Sequence, residues 1–586
     1  METTCEKNTE EEPRSTVGAE HDEDEYEESG AESEEWVNKE EESEDSDEHS
    51  PADNDNTMET DDAVPSSGWT SKSGLEWSPT DADTMRYIAP PIKATGPTRY
   101  AIDRITNLED SFELMVTPEI VKHITEMTNL HGRRTVKNWT DTDTTEIKAY
   151  IGLLILAGVY RSRNESTVNL WRDGTGRPIF TATMAHKRFS QLSTVIRFDD
   201  KQTRQACLVR QPDKLVAIRV IWDKWLRQLE SVFIPDREIT IDEKVILFRG
   251  RCPFQQAMLK KPFRSGLKIW VLCDAQTSFA CRMQVHTGKT PDGAPKTSQG
   301  KQVVLELTEG MKGNTVTCNN VYTSYSLAED LLRRKITLVG HIHNSKPELP
   351  PALLQTRGRV INSAVFAFRK KATLVSYIGM PRKNIILLST KHRKPEVTSG
   401  KSRKPQMVVD YNRWKKGVDV LNQLVATYSC RQRTRRWPMA LFHHIIDVSA
   451  VNASILWTAA QPNWKQGNLT RRRLFLEELG RALTFPLMAT RQRLPHQPGA
   501  AAMVTQAQDL APVTPSCKSL KDTRRQCKYC PVKKRRMVTT ICQKCDNYTC
   551  KEHTTVICNT CAPSVWSRLS HTHTHTHSAS VPVCSK

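Results

Sequence analysis

The chain has 586 residues, enough for roughly three or four domain-sized units and a large core. Its formal net charge of +17 is divided unevenly: residues 1–62 carry 27 Asp+Glu against 3 Lys+Arg (−24), which leaves 40 acidic and 81 basic residues (+41) for the rest. A body that positive attracts polyanions, nucleic acid first, and the start Met1-Glu2-Thr3-Thr4, the lack of a membrane-length apolar run and the mostly unpatterned cysteines argue against secretion or membrane insertion and for a soluble nuclear protein.

Residues 1–95 read as an acidic, Ser-rich disordered tail, too poor in large aliphatics to fold alone. Helical periodicity follows. Residues 145–158 place Ile147, Ile151, Leu154, Ile155 and Gly158 on one face, and 184–197 and 214–232 read as further helices. From residue 238 the period drops to two. Residues 238–243 form a predicted strand, 267–273 and 279–287 a meander, and 314–320, 325–334 and 336–342 a strand, a helix and a strand. That order predicts an α/β fold on a mixed sheet, with carboxylates near strand ends. Residues 345–405 are rich in Pro, Lys and Arg and resemble an insertion, with a strand-like piece at 385–389. Helices return at 415–427, 438–457 and 470–484, and 491–525 reads as a linker rich in Gln, Pro and Ala.

The last segment carries the sharpest pattern: Cys527-x2-Cys530-x11-Cys542-x2-Cys545-x4-Cys550-x2-His553-x4-Cys558-x2-Cys561. Two-residue spacing lets both members of a pair reach one tetrahedral ion, so eight ligands suit two structural Zn²⁺ ions. A disulfide cluster would require an oxidising compartment, and Lys533-Lys534-Arg535-Arg536 inside the segment suits nuclear import or phosphate contact instead. The alternation His571-Thr572-His573-Thr574-His575-Thr576-His577 is what a CA-dinucleotide repeat encodes, and it lies in a tail, 563–586, expected to be disordered.

Asp242 on a strand and Asp419 on a distant helix are carboxylates of the kind that two-metal phosphoryl transfer brings together from separate elements. Composition alone does not single them out. Their neighbours do: Ala149-Tyr150-Ile151-Gly152-Leu153-Leu154, Gly176-Arg177-Pro178-Ile179-Phe180, Ile241-Asp242-Glu243, Phe248-Arg249-Gly250-Arg251-Cys252-Pro253, Cys318-Asn319-Asn320 with Thr323-Ser324, Lys416-Gly417-Val418-Asp419 and Arg436-Trp437-Pro438-Met439-Ala440. With the cysteine pattern, these make residues 96–562 resemble a piggyBac-type transposase of the group that gives rise to domesticated genes.

The resemblance implies an RNase H-like catalytic domain (238–344, closing with a helix in 406–428), an insertion domain (345–405), a helical dimerisation and DNA-binding domain in two parts (96–237 and 429–490) and a cross-brace zinc module (526–562). It implies cut-and-paste transposition at TTAA sites by three Asp residues with Mg²⁺, terminal-repeat DNA as partner, and a homodimer. Asp242 matches the first Asp and Asp419 the third. Asn319 stands where the second belongs; it keeps the shape and loses the charge, and an amide holds Mg²⁺ more weakly than a carboxylate. Asn422 replaces a further acidic residue of the family, and His343 an Arg whose partner Lys346 remains. Arg249, Arg251, Lys260, Lys261 and Arg264, with His343 and Lys346, are candidate DNA contacts, and Arg431, Arg433, Arg435 and Arg436 form a second basic cluster. The expectation is a transposase-like DNA-binding protein with impaired cleavage and strand transfer. Two alternatives stand beside it, an active transposase that tolerates Asn319 and a zinc scaffold that reads chromatin proteins.

Overall fold

The computed structural model describes residues 68–81, 87, 89–92, 94–204, 213–257, 265–288, 296–510, 525–534, 536–540 and 547–554. Outside them lie the acidic segment, Lys260, Lys261, Arg264, Arg535, Cys542, Cys545, Cys558, Cys561 and the His-Thr run.

Helix α1 (Thr144–Val159) opens on Asp143, whose carboxylate accepts the Glu146 N–H at 2.7 Å and satisfies an otherwise orphaned donor. Every residue from Ala149 to Val159 is buried, so this helix is apolar all round and forms a centre of the core. Gly152 permits a close contact: a Cβ there would lie 2.9 Å from the Gly480 carbonyl oxygen. The partner is α8 (Arg471–Ala489), so residues before and after the sheet in sequence pack on each other. Helix α2 (Arg219–Val232) adds Trp222, Trp225 and Leu229 to the same core.

The sheet has nine strands among the described residues. Strand β1 (Glu238–Leu247) lies between antiparallel β2 (Ser265–Asp274) and parallel β4 (Thr315–Cys318). β3 (Ala280–Val285) pairs with β2, and β5 (Thr337–His341) runs parallel to β4 after α4 (Tyr325–Arg333) crosses over. The order β3-β2-β1-β4-β5 is the expected meander followed by β-α-β. Beyond β5 the sheet continues antiparallel through β8 (Lys383–Ser389), β7 (Ala372–Met380) and β6 (Ser363–Arg369), so part of the stretch read as an insertion extends the same sheet. Helix α3 (Lys296–Leu307), absent from the sequence expectations, buries Val303, Val304 and Leu307.

After the sheet come α5 (Gln406–Trp414), α6 (Gly417–Thr427) and α7 (Trp437–Ala460). α7 corrects the expectation that no apolar run reaches membrane length, since it is long and apolar enough; 89% of its apolar window is buried inside the protein, as in a core helix. Two polar side chains fix its seat. Ser449 Oγ accepts the Trp225 Nε1–H at 2.9 Å, and the Asn452 amide bonds both the N–H and the carbonyl of Ala280 at 3.0 Å.

Two further corrections concern segments read as unstructured. Helix α9 (Pro498–Leu510) occupies the expected linker, burying Ala500, Val504 and Ala507 beside Ala182 and Met488. These small residues at helical spacing leave a weak hydropathy signal. Within the expected tail, Trp69–Thr70 pairs with Glu76–Trp77, Ser78 bridges Phe368 of the edge strand β6, and Trp77 is buried. The hairpin is ordered by tertiary packing, which local composition does not report.

Candidate functional site

Alternation along β1 sends Ile239 and Ile241 into the core and Thr240, Asp242 and Lys244 to the face that receives α6. The Thr240 hydroxyl donates to the Trp414 carbonyl at 2.5 Å, at the end of α5. Gly417 then brings the start of α6 close: a Cβ there would lie 3.3 Å from Thr240 Cβ and 3.2 Å from Ala275 Cα. Asp419 sits in the first turn of α6, where a negative charge suits the helix dipole. Behind it α5 is anchored through Asp410, which accepts from Gln406 Nε2 at 2.8 Å and meets His392 Nε2 at 3.1 Å. The His392 hydrogen bond holds the Asp410 carboxyl down at about 2.

The parallel register pairs Ile241 with Cys318, which puts Asn319 level with Asp242 on the neighbouring strand. The Asn319 amide nitrogen donates to Asp242 Oδ1 at 2.9 Å. Its orientation is fixed from the other side, because its oxygen accepts the Val321 N–H at 3.0 Å. Asp242 Oδ1 also accepts the Glu243 N–H at 2.8 Å. Burial pushes the Asp242 carboxyl up to about 6, with the Asp419 carboxylate adding repulsion and the Glu243 N–H opposing. Burial also raises Asp419, against the pull of Lys415 and Lys416. Asp242, Asn319 and Asp419 are thus brought together.

Two residues not singled out in sequence join them. Lys244, two positions along β1, donates from Nζ to Asn422 Oδ1 at 3.0 Å, and Lys268 on β2 forms an ion pair with Glu243. The signal for Lys244 was available: the alternation that exposes Asp242 to α6 also exposes position 244.

Of the candidate DNA contacts, Arg249 and Arg251 are exposed, and Gly250 between them packs against the Arg435 backbone. Arg433 and Arg435 are exposed beside this loop, so the two basic clusters meet. Arg431 and Arg436 of the second cluster are structural. Arg431 donates to the Leu247 carbonyl, and Arg436 donates to the carbonyls of Thr194 (2.8 Å) and Ile196 at the end of helix His186–Val195. His343 is exposed and its Nδ1 meets Ser345 Oγ at 2.7 Å; Lys346 is half-buried. The loop bearing both is held by the hairpin, since Trp77 Nε1 donates to the Glu348 carbonyl at 3.0 Å and the Ser73 N–H to the Pro347 carbonyl at 2.9 Å.

In the C-terminal segment Cys527, Cys530, Cys550 and His553 converge, every ligand atom within 4.8 Å of the others. Cys530 Sγ lies 3.6 Å from Cys550 Sγ, and Cys550 Sγ 3.2 Å from His553 Nδ1. A tetrahedron with Zn–S bonds of 2.3 Å has edges of roughly 3.8 Å, so the donor set fits zinc in both chemistry and size. The first ligand pair thus joins the third.

Residues 109–454 match the family described as transposase IS4. Two human proteins align over 346 residues at 22% identity, 56% of this chain: PiggyBac transposable element-derived protein 3 and the Chimeric ERCC6-PGBD3 protein. The chain spans 57% and 32% of their respective lengths. Among solved structures, a piggyBac transposase synaptic complex with hairpin DNA is similar with a TM-score of 0.66 and 31% identity, over 80% of this chain and all of that one.

Proposed function

The chain belongs to the piggyBac-type transposases, within the family described as transposase IS4, and from that premise we propose that it is a DNA-binding protein whose cleavage centre is impaired. One observation carries the reading: where a metal-bridging carboxylate would face Asp242, the Asn319 amide presents an N–H at 2.9 Å. The amide nitrogen cannot ligate a cation, and turning the amide over would leave the Val321 N–H to water and offer only a neutral oxygen where a carboxylate belongs. The trio Asp242, Asn319 and Asp419 therefore does not fit a pair of Mg²⁺ ions. Losing one charged group from such a centre costs several kcal/mol of transition-state stabilisation, several orders of magnitude in rate.

The rest of the reading follows the family. We assign the strands around Asp242 to an RNase H-like catalytic domain, because β1, β4 and β5 are parallel while β2 folds back antiparallel on β1 and β3 on β2. Residues 345–405 take the place of the insertion domain, and α1, α7 and α8 belong to the two-part helical domain that would contact DNA and a second copy of the chain. Arg249, Arg251 and Lys346 are assigned to phosphate, with Lys260, Lys261 and Arg264 by sequence proximity. Cys527, Cys530, Cys550 and His553 would hold one Zn²⁺, and Cys542, Cys545, Cys558 and Cys561 are assigned to a second. Terminal-repeat DNA and TTAA targets are the proposed ligands, and the nucleus the proposed compartment.

The test uses the purified full chain on a TTAA-flanked duplex carrying the terminal repeats that border its gene or the closest genomic copies. Binding should weaken steeply with salt, since many Lys/Arg–phosphate contacts release counterions, and no cut should form in Mg²⁺ or Mn²⁺. End cleavage by the unmodified chain would overturn the reading in favour of an active transposase, which the approach of Asp242 to Asp419 also supports. Salt-insensitive or absent DNA binding would favour the protein-reading zinc scaffold.

A further inference from the structure

The extension of the sheet through β6, β7 and β8 carries charge that the carboxylate centre does not use. Between Glu348 and Glu396 the chain has ten Lys+Arg and no Asp or Glu. Strand register places one end of this extension near the centre. Asp242 is level with Asn319, Asn319 with His341, and His341 pairs with Leu387 on β8. Lys383, at the start of β8, lies four residues beyond that row, about 13 Å, and three strands across it, about 14 Å. Lys415, four residues ahead of Asp419, feels attraction from Asp419 and repulsion from Lys383, so it lies between the two.

Three loops close on one another at this end. Met380 pairs with Lys383 across the two-residue loop Pro381-Arg382. The turn Val360–Ser363 joins it, since the Asn362 N–H donates to the Ile378 carbonyl at 2.7 Å. The Tyr377 hydroxyl donates to the Ser402 carbonyl at 2.8 Å and lies 3.1 Å from Asn362 Oδ1, which pins the loop bearing Arg403. Turns ordinarily present polar side chains. These present Val360 (72% exposed), Ile361 (51%) and Met380 (54%), with Arg382, Lys383 and Arg403 exposed beside them. Arg382 and Arg403 also hold left-handed φ values of 61° and 41°, where Gly or Asn is the usual residue. Apolar tips flanked by cations suit duplex DNA: the cations seat phosphates, and aliphatic side chains enter between base steps. A neutral apolar partner would leave the cations unmatched.

We propose that Val360, Ile361 and Met380 form a wedge that unstacks DNA held by Arg382, Lys383 and Arg403, about 20 Å or six base-pair steps from the Asp242 centre. The inference rests on the DNA-binding reading and deepens it, because it assigns deformation of the duplex to a surface that needs no metal.

The test uses the zinc-loaded full chain and the TTAA-flanked duplex, with 2-aminopurine placed at successive positions around TTAA. Fluorescence reads unstacking, and the salt dependence of affinity reads phosphate contact. The parent should brighten the probe at one or two neighbouring positions. Val360→Ser, Ile361→Ser and Met380→Ser together should abolish that brightening without changing the salt slope, whereas Ile361→Leu with Met380→Leu should keep it. Arg382→Ala with Lys383→Ala should make the slope of log affinity against log salt shallower by about 2. All these side chains are exposed, so each variant should melt with the parent. Binding without brightening at any position, brightening that survives the serine variant, or an unchanged slope in the alanine variant would overturn the proposal and leave the DNA-binding reading standing. Absence of DNA binding by the parent would overturn both.

Discussion

Replacing Asn319 by Asp exchanges a hydrogen-bond donor for a second carboxylate 2.9 Å from Asp242 Oδ1. A hydrogen bond to a charged acceptor contributes about 1.5–3 kcal/mol, and two unit charges about 4 Å apart near a protein surface repel by about 4 kcal/mol. Solvent reaches this centre and Asp242 takes up a proton readily, so the net loss should be about 2 kcal/mol at neutral pH. Its sign with pH is fixed. Both carboxyls would titrate higher in the folded than in the unfolded chain, so the contribution is intact at low pH and lost as pH rises through the folded values. The variant should therefore melt close to the parent at pH 5 and clearly below it at pH 8. Millimolar Mn²⁺ should return about 1.4 kcal/mol at ten times its dissociation constant, while leaving the parent unmoved. Thermal unfolding in metal-free and Mn²⁺ buffers at the two pH values reads all of this. A variant as stable as the parent at pH 8 without metal, or a parent that gains as much from Mn²⁺, would refute the reasoning.

Three other outcomes are expected. Trp77→Ala should cost about 3–5 kcal/mol of local stability, because a buried indole and its bond to the Glu348 carbonyl are lost; limited proteolysis should then cut the 343–350 loop faster and DNA affinity should fall. Cys550→Ser should lower bound zinc from two ions to one by elemental analysis, while Cys542→Ser should remove the other ion. Burial holds the Asp447 carboxyl up at about 6, opposed by the Ser429 hydroxyl and the Cys430 N–H, so its folded value lies above its unfolded one. Stability from this group is present below about pH 4 and lost as pH rises through about 6, so the parent should lose melting temperature relative to Asp447→Asn between pH 5 and pH 7.

The elements with strong periodicity were legible: α1 from its apolar run, β1 from alternation, and the order of strands around it. Asp242, Asn319 and Asp419 were legible only through resemblance, since three residues 177 positions apart at the extremes have no local signature of convergence. Features that depend on partners elsewhere were not. Trp77 is buried because Tyr325, Glu348 and Phe368 arrive from some 250 or more residues away. Arg431 and Arg436 read as phosphate contacts, yet their guanidinium groups serve backbone carbonyls at Leu247 and Ile196. Charge is visible in a sequence, and the group that consumes it is visible only in the fold.

The proposed function would also account for DNA binding that outlasts cleavage. On the proposed reading phosphate contact would be distributed: Arg249, Arg251, Arg433 and Arg435 are exposed on two abutting loops, and loss of any one would remove a fraction of the electrostatic attraction. Metal chemistry is concentrated, because each carboxylate holds a separate and irreplaceable share of the cation's charge. The Asn319 amide does more than remove one share. By donating to Asp242 it relieves the repulsion that a metal would otherwise have to neutralise, so the centre is held together without an ion. Ile239 and Ile241 remain buried beneath it and Gly417 remains seated on Thr240, which leaves the scaffold that supports the basic loops undisturbed. If the proposed reading holds, Asn319 is a substitution that would weaken catalysis while leaving the centre well bonded, the kind that a DNA-binding chain can carry.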